Sequence, residues 1–326
     1  MDPQPFRYPD HALIMAPLSG FTDLAYRRAA RKGGCHYAFT EMVDAASLAF
    51  ANGNGEFLLL RGEEEEFFAT QLVGADPEML KRACAKLNER DFTLLDFNLG
   101  CPVPKVVKKG AGAALGQNIK SAHECFAVLS RESRFQLTAK LRILDALDPN
   151  PTLELCAGLV ELGATALTIH GRTREHFYTG DVAFDIIRAV KEKFPQVQVI
   201  ANGGVNSAET YRIMREKSGC DLVMLAQGIM GNPWLFRELS GVHNQPPTLE
   251  EWREMVLFHI REMIAVYGET SAMRQARKIV HDYLKGRGFP AALRAEASAL
   301  STFADLENLL AHAVPAAVTT SIRRIL

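Results

Sequence analysis

Three short apolar runs, Thr165-Ala-Leu-Thr-Ile-His170, Val197-Gln-Val-Ile-Ala201 and Asp221-Leu-Val-Met-Leu-Ala226, are separated by Phe184–Phe194 and Ser207–Lys217, where apolar residues return every three to four positions. A brief run rich in Val, Ile and Leu, then a turn, then a helical period, is a strand–helix repeat. Strands joined by helical crossovers lie parallel. Working outward, the same alternation places further strands at His11–Ala16, Tyr37–Glu41, Phe67–Val73, Thr93–Asn98 and Phe135–Leu141, which makes eight, and helices at Leu24–Lys32, Pro77–Glu89, Ala122–Arg131 and Leu153–Leu162. Asp23, Asp76, Asn206 and Ser207 stand where helix N-caps belong. Eight strand–helix repeats close a parallel sheet without leaving an edge, so the pattern predicts an α/β fold of the (β/α)8 TIM-barrel type, ahead of a doubly wound open sheet.

After Trp234 the strand pattern stops, and Thr248–Tyr267, Ala272–Leu284, Ala291–Ala297 and Leu306–Ala313 read as helices behind a Gln-Pro-Pro linker at 245–247. The expected division is a barrel over residues 1–240 and a small C-terminal helical domain over 241–326. With 37 Lys+Arg against 38 Asp+Glu in 326 residues, the whole surface is not polybasic, so any nucleic-acid footprint must be a local cluster. The six cysteines, at 35, 84, 101, 125, 156 and 220, form no CxxC and no Cys/His pair at zinc spacing, which argues against disulfides, zinc and iron–sulfur clusters. No apolar run approaches the ~18 residues of a membrane span, and Met1–Asp10 lacks an apolar signal core, so the sequence reads as a cytoplasmic protein with no membrane attachment.

Catalysis in a barrel sits where the strands end, at their C-terminal mouth. The residues ending these strands are Ala16-Pro17, Glu41, Gln71, Asn98 with Cys101 just beyond, Lys140 with Arg142, His170 with Arg172, Asn202 and Gln227. Such a rim of amide, thiol, ammonium and imidazole groups is costly for an inert scaffold. A lone cysteine is usually a small buried hydrophobe, and five of the six are read that way. Cys101 differs, lying in a loop with Lys105, Lys108 and Lys109 nearby, where a thiol can act as nucleophile or as acid. Asn202-Gly203-Gly204 and Gln227-Gly228 fall where barrels bind phosphate through backbone N–H groups, although glycine pairs are also common turns.

In order along the chain stand Met15-Ala-Pro-Leu18 with Thr22-Asp23, Glu41-Met42, Gln71-Leu-Val-Gly74, Asn98-Leu-Gly-Cys-Pro102, Gly110-Ala-Gly-Ala-Ala-Leu115, Lys140-Leu-Arg142, His170-Gly-Arg-Thr173 and Ala201-Asn-Gly-Gly204. This ordered set, over nearly the whole chain, resembles the dihydrouridine synthase family, flavoenzymes that reduce uridine in tRNA. The resemblance implies an FMN-binding barrel, NADPH as reductant, a helical tRNA-recognition domain and a monomer. It further implies that Ala16, Pro17 and Leu18 lie against the flavin, that Gln71 bonds its pyrimidine edge, that Lys140 and His170 contact it, and that Asn202, Gly203 and Gly204, with Gln227 and Gly228, hold the ribityl and phosphate. Cys101 matches the catalytic acid, Asn98 and Arg142 resemble residues of the uracil pocket, and Arg172 looks placed for the RNA. The family usually shows Gly-Arg after the eighth strand, where this chain reads Ala226-Gln227, so a cation expected near the FMN phosphate is replaced by an amide.

Arg274, Arg277, Lys278, Lys285, Arg287 and Arg294 stand against one acid, Asp282, whereas the segment from 241 onward carries ten bases and nine acids. Arg274, Arg277, Lys278 and His281 share a helical face, and the cluster resembles the family's tRNA-binding helix. Trp234 and Trp252 read as packing residues. Two other functions fit the same fold: a flavin-dependent reductase of free pyrimidines, like the dihydroorotate dehydrogenases, and a non-catalytic RNA-binding protein. The basic helical segment argues against the first, and intact Cys101, Lys140 and His170 argue against the second.

Overall fold

The eight expected strands form, and they are β1 (Leu13–Met15), β2 (Tyr37–Asp44), β3 (Ala69–Val73), β4 (Leu94–Leu99), β5 (Gln136–Arg142), β6 (Ala166–His170), β7 (Gln198–Asn202) and β8 (Leu222–Leu225). In this computed structural model, which describes residues 6–50, 56–241 and 245–315, all neighbouring strands pair in parallel and β8 returns to β1, closing the barrel. The Ala16 N–H extends the closure by donating to Leu225 O at 2.9 Å. Residues 242–244 and 316–326 of the expected C-terminal domain lie outside the described residues.

The helices are α1 (Leu24–Lys32), α2 (Ala45–Phe50), α3 (Pro77–Leu87), α4 (Pro104–Val107), α5 (Ala113–Gln117), α6 (Ile119–Glu132), α7 (Asn150–Glu161), α8 (Phe184–Lys193) and α9 (Ala208–Ser218). They continue with α10 (Leu235–Leu239), α11 (Leu249–Tyr267), α12 (Glu269–Leu284), α13 (Ala291–Ala299) and α14 (Phe303–His312). Asp23, Asp76 and Ser207 cap as the sequence suggests, each side chain accepting a backbone N–H in the first turn. Asn206 stands one residue outside its cap and bonds to Thr210 instead.

Chain contacts divide the molecule into two compact units: residues 1–22 with 36–227, and 23–35 with 228–326. In the first unit, alternate strand residues fill the barrel, because side chains switch faces at every step. Its lower layers are apolar, with Ile14, Phe39, Ala69, Leu94, Ala166, Ile200, Leu222 and Met224 in one buried cluster. Tyr8 and Phe67 belong to the same cluster, Phe6 and Tyr37 pack ring to ring against them, and Gln198 clamps Tyr8 through both its N–H and its carbonyl. An apolar base of this kind leaves polar chemistry to the opposite ends of the strands.

In the second unit, α1 packs with α11, and α12 to α14 complete the bundle. The boundary falls at 227/228, not at 240/241, because the chain beyond β8 is tied to α1. The Tyr26 hydroxyl donates to Ile229 O, and the Arg237 N–H donates to Gly33 O at 2.9 Å. A Cβ on Gly33 would meet Pro233 O at 2.1 Å, so only glycine allows that approach. Trp252 donates through Nε1 to Tyr283 O at 3.1 Å and packs at a tilt against Phe289, while Trp234 meets the edge of Tyr283. Both tryptophans are therefore core residues of this unit.

Candidate active site

The upper layer of the first unit begins with Asp96, two residues before the end of the inward face of β4 and 1% exposed. It accepts from Gln71 Nε2 and from Thr138 Oγ1, both at 2.6 Å. Gln71 Oε1 then accepts from Asn98 Nδ2 at 2.6 Å, and Asn98 Oδ1 accepts the N–H groups of Gly100 and Cys101 at 3.0 and 2.9 Å. The carboxylate can only accept, so it fixes which way both amides point. One continuous chain of bonds thus runs from the barrel interior to the backbone that carries Cys101. Asn98, expected in a uracil pocket, is engaged within the protein on both its amide atoms.

Cys101 lies in the loop after β4 and is partly exposed, whereas the other five cysteines are buried. A Cβ on Gly112, whose φ is +61°, would meet Cys101 O at 2.7 Å, so a glycine there lets the chain fold back over the thiol loop. Burial pushes the Cys101 thiol above its ordinary value, opposed by the Val103 N–H and by Lys140 and Arg142. The cations acting on the thiol are therefore these two barrel residues and not the loop lysines: Lys109 pairs with Asp44 at 2.9 Å, and Lys105 and Lys108 are exposed.

Lys140 stands opposite Asn98 in the β4–β5 register. Burial and the neighbouring Arg142 push its ammonium down to about 8, against the pull of Asp96. Arg142 is buried and donates to Gly100 O at 2.8 Å and Thr173 O at 3.1 Å, bracing the loops after β4 and β6. Its guanidinium also lies 5.5 Å from the Tyr178 ring. His170 is 6% exposed, and its Nε2 has no partner among the described residues. Burial, with Lys140, Arg142 and Arg172 around it, pushes His170 down to about 2, so it is neutral. Asn202 is pinned through Nδ2 to Met224 O at 2.8 Å, and Gly203 and Gly204 follow with φ of +129° and +72°. Ala16 is buried, and Pro17 and Leu18 are half-buried, with the Leu18 N–H donating to Thr22 Oγ1.

The first unit thus gathers Ala16, Pro17, Leu18, Gln71, Asn98, Cys101, Lys140, Arg142, His170, Arg172, Asn202, Gly203, Gly204 and Gln227 onto the C-terminal ends of its strands, while Gly228 belongs to the second unit. Two further residues of this mouth are not among those the sequence singles out. Asp96 carried a signal, since it precedes Asn98 by two and therefore shares its face. Tyr178, 47% exposed and electrostatically coupled to Cys101 and Arg142, carried none, because a loop aromatic has no periodicity.

On α12, Arg274 and Lys278 are exposed, as is Lys285 beyond it. Arg277 donates to Leu300 O at 2.7 Å and His281 bonds Ser298 Oγ at 2.8 Å. Arg287 is half-buried over the Trp234 ring and donates to Asn232 Oδ1 at 2.9 Å, so it packs the unit and does not join the exposed charges.

A model of the dihydrouridine synthase (Dus) family matches residues 14–319. The chain belongs to the dihydrouridine synthase family. It is similar to a tRNA-dihydrouridine synthase B of Shewanella oneidensis, with 30% identity over 92% of this chain and 94% of the relative. It is also similar to a tRNA-dihydrouridine synthase B of Pasteurella multocida, 32% identical over 84% of each chain, and to a probable tRNA-dihydrouridine synthase of Treponema pallidum, 31% identical over 93% of each. Dihydrouridine synthases are flavin-dependent oxidoreductases, and the residues of this barrel fit such a group. His170 leaves a buried Nε2 without a partner, Gly203 and Gly204 form a bare turn beside it, and Gln71 retains one N–H and one lone pair. Among the described residues no three His, Cys, Asp or Glu are placed to hold a metal ion, and no helix is long and apolar enough to cross a membrane.

Proposed function

We propose that this protein is a tRNA-dihydrouridine synthase that binds FMN, takes its electrons from NADPH and reduces the C5–C6 double bond of a uridine in tRNA. The observation that carries the reading is that one set of strand ends carries the partly exposed Cys101 thiol, the half-buried Lys140 side chain and the buried, unpartnered Nε2 of His170. Ala16, Pro17, Leu18, Gln71, Lys140, His170, Asn202, Gly203 and Gly204 would hold the flavin. When bound, FMN would supply the hydride chemistry for C6 of the uracil.

The chain's own part is protonation and charge control. Because burial raises the Cys101 thiol, Sγ keeps its proton at neutral pH and serves as an acid, not as a nucleophile. As that proton passes to C5, the negative charge left on sulfur is met by Lys140, Arg142 and the Val103 N–H. Asn98 positions the loop by holding the Gly100 and Cys101 N–H groups, and Asp96 holds the amides behind it. Tyr178 offers an exposed ring beside Cys101 and Arg142, suited to a base taken out of its stack. In the second unit the exposed Arg274, Lys278 and Lys285 supply cations for RNA phosphates.

The test is dihydrouridine in total tRNA, measured by mass spectrometry from a strain lacking other synthases and expressing this protein or its Cys101→Ala variant. Dihydrouridine should form with the parent and fall sharply with the variant. Its absence with the parent, in flavin-loaded protein, would overturn the tRNA assignment and favour a free-pyrimidine reductase.

A further inference from the structure

The turn after β7 lies beside an arginine from the loop after β6. Gly203 and Gly204 lie in the left-handed region, and no hydrogen bond engages either N–H among the described residues. A Cβ on Gly203 would stand 3.3 Å from His170 Nε2, and one on Gly204 would stand 3.3 Å from Arg172 Nη2 and 3.8 Å from Nη1. The unpartnered imidazole nitrogen and the two terminal guanidinium nitrogens therefore flank the same bare stretch of backbone. Arg172 donates only through Nε, to Gly180 O at 2.9 Å, which fixes the guanidinium plane and leaves the Nη1/Nη2 fork without an acceptor among the described residues. Asp181 attracts it electrostatically, but no carboxylate forms an ion pair with it among those residues.

The other cations of the mouth are differently disposed. Arg142 is engaged with two backbone carbonyls, and Lys140 stands on β5, opposite Asn98. On the strand beside the turn, β8 pairs Met224 with Asn202 and is followed at the rim by the neutral Gln227. A phosphate held by glycine N–H groups at this turn thus has one open guanidinium fork within reach, and a fork matches two phosphate oxygens in a way a single ammonium does not.

Resting on the FMN reading above, we propose that Arg172 binds the phosphate of the flavin mononucleotide, supplying from the loop after β6 the cation that Gln227 does not supply after β8. It is a cofactor-anchoring residue and not, as its sequence context suggests, an RNA contact.

The experiment removes flavin from the purified protein and titrates it with FMN and with riboflavin, which differ only in the phosphate, following flavin fluorescence. The parent should prefer FMN, and Arg172→Gln should weaken FMN roughly 10- to 100-fold, the range of a charge-assisted pair of hydrogen bonds, while riboflavin affinity stays unchanged. Unchanged riboflavin binding also certifies that the barrel is folded. Arg172→Lys should recover part of the preference, and Gln227→Arg in the Arg172→Gln background should restore more of it. An FMN preference that survives in Arg172→Gln overturns the assignment, as does loss of tRNA affinity with that preference intact. Equal weakening of both flavins overturns it too. If the parent binds neither flavin, the functional reading falls first and this inference with it.

Discussion

Asp96→Asn is the most informative single change in the barrel. The carboxyl, 1% exposed, is pushed up to about 6 from its ordinary 3.8, chiefly by burial, with Thr138, Gln71 and Lys140 opposing. Tyr8 also feels its charge. A carboxyl raised on folding favours its protonated form in the native state, so its contribution is fully present below about pH 4 and is lost as pH climbs through about 6. Near two units at 1.36 kcal/mol each give about 3 kcal/mol in all, of which about 2 kcal/mol falls between pH 4.5 and 8. Asparagine keeps an oxygen to accept from Gln71 and an amide to donate to Thr138, but it cannot ionise. The stability of the variant relative to the parent should therefore rise by about 2 kcal/mol from pH 4.5 to 8, or about 4–8 °C in thermal midpoint for a domain of this size. Melting both proteins across that range checks it. A flat difference curve would refute the reasoning, because the carboxyl would then titrate alike in the folded and unfolded chain.

Turnover should decline as pH rises through about 8, where Lys140 loses its proton, and Lys140→Arg, charged at every working pH, should flatten that limb of the pH–rate profile. Replacing Arg274, Lys278 and Lys285 together by Gln should weaken tRNA binding uniformly across sequences and reduce the salt slope by about 2–3, as read from titrations at several ionic strengths. Gly231→Ala should destabilise the second unit by more than ~1 kcal/mol, because φ is +65° there and a Cβ would lie 2.2 Å from the backbone of Asp282; an unshifted melting transition would contradict this.

The barrel was legible because parallel strands buried on both faces are written as short apolar runs, and each of the eight runs became a strand. The helices α4 and α5 were not, because Pro104–Val107 and Ala113–Gln117 lie among Lys and Gly residues whose local pattern is that of a loop. Chain division was misplaced for a related reason. A linker rich in Pro at 245–247 is a local signal, whereas the ties from Tyr26 to Ile229 and from Gly33 to Arg237 join residues some 200 positions apart. The strand-end rule found which residues share the mouth but not what each one does there.

That difference has a physical cause, visible in three arginines. Arg142, Arg172 and Arg287 read alike in the sequence as cations for substrate or RNA. A guanidinium's role is set by which of its five donors are already used. Arg142 uses two on backbone carbonyls and braces the loops, and Arg287 uses one on Asn232 and covers Trp234. Among the described residues Arg172 uses only Nε and turns its open end toward Gly204. The pattern of satisfied donors, not the charge, therefore decides which arginine is left to meet an anion.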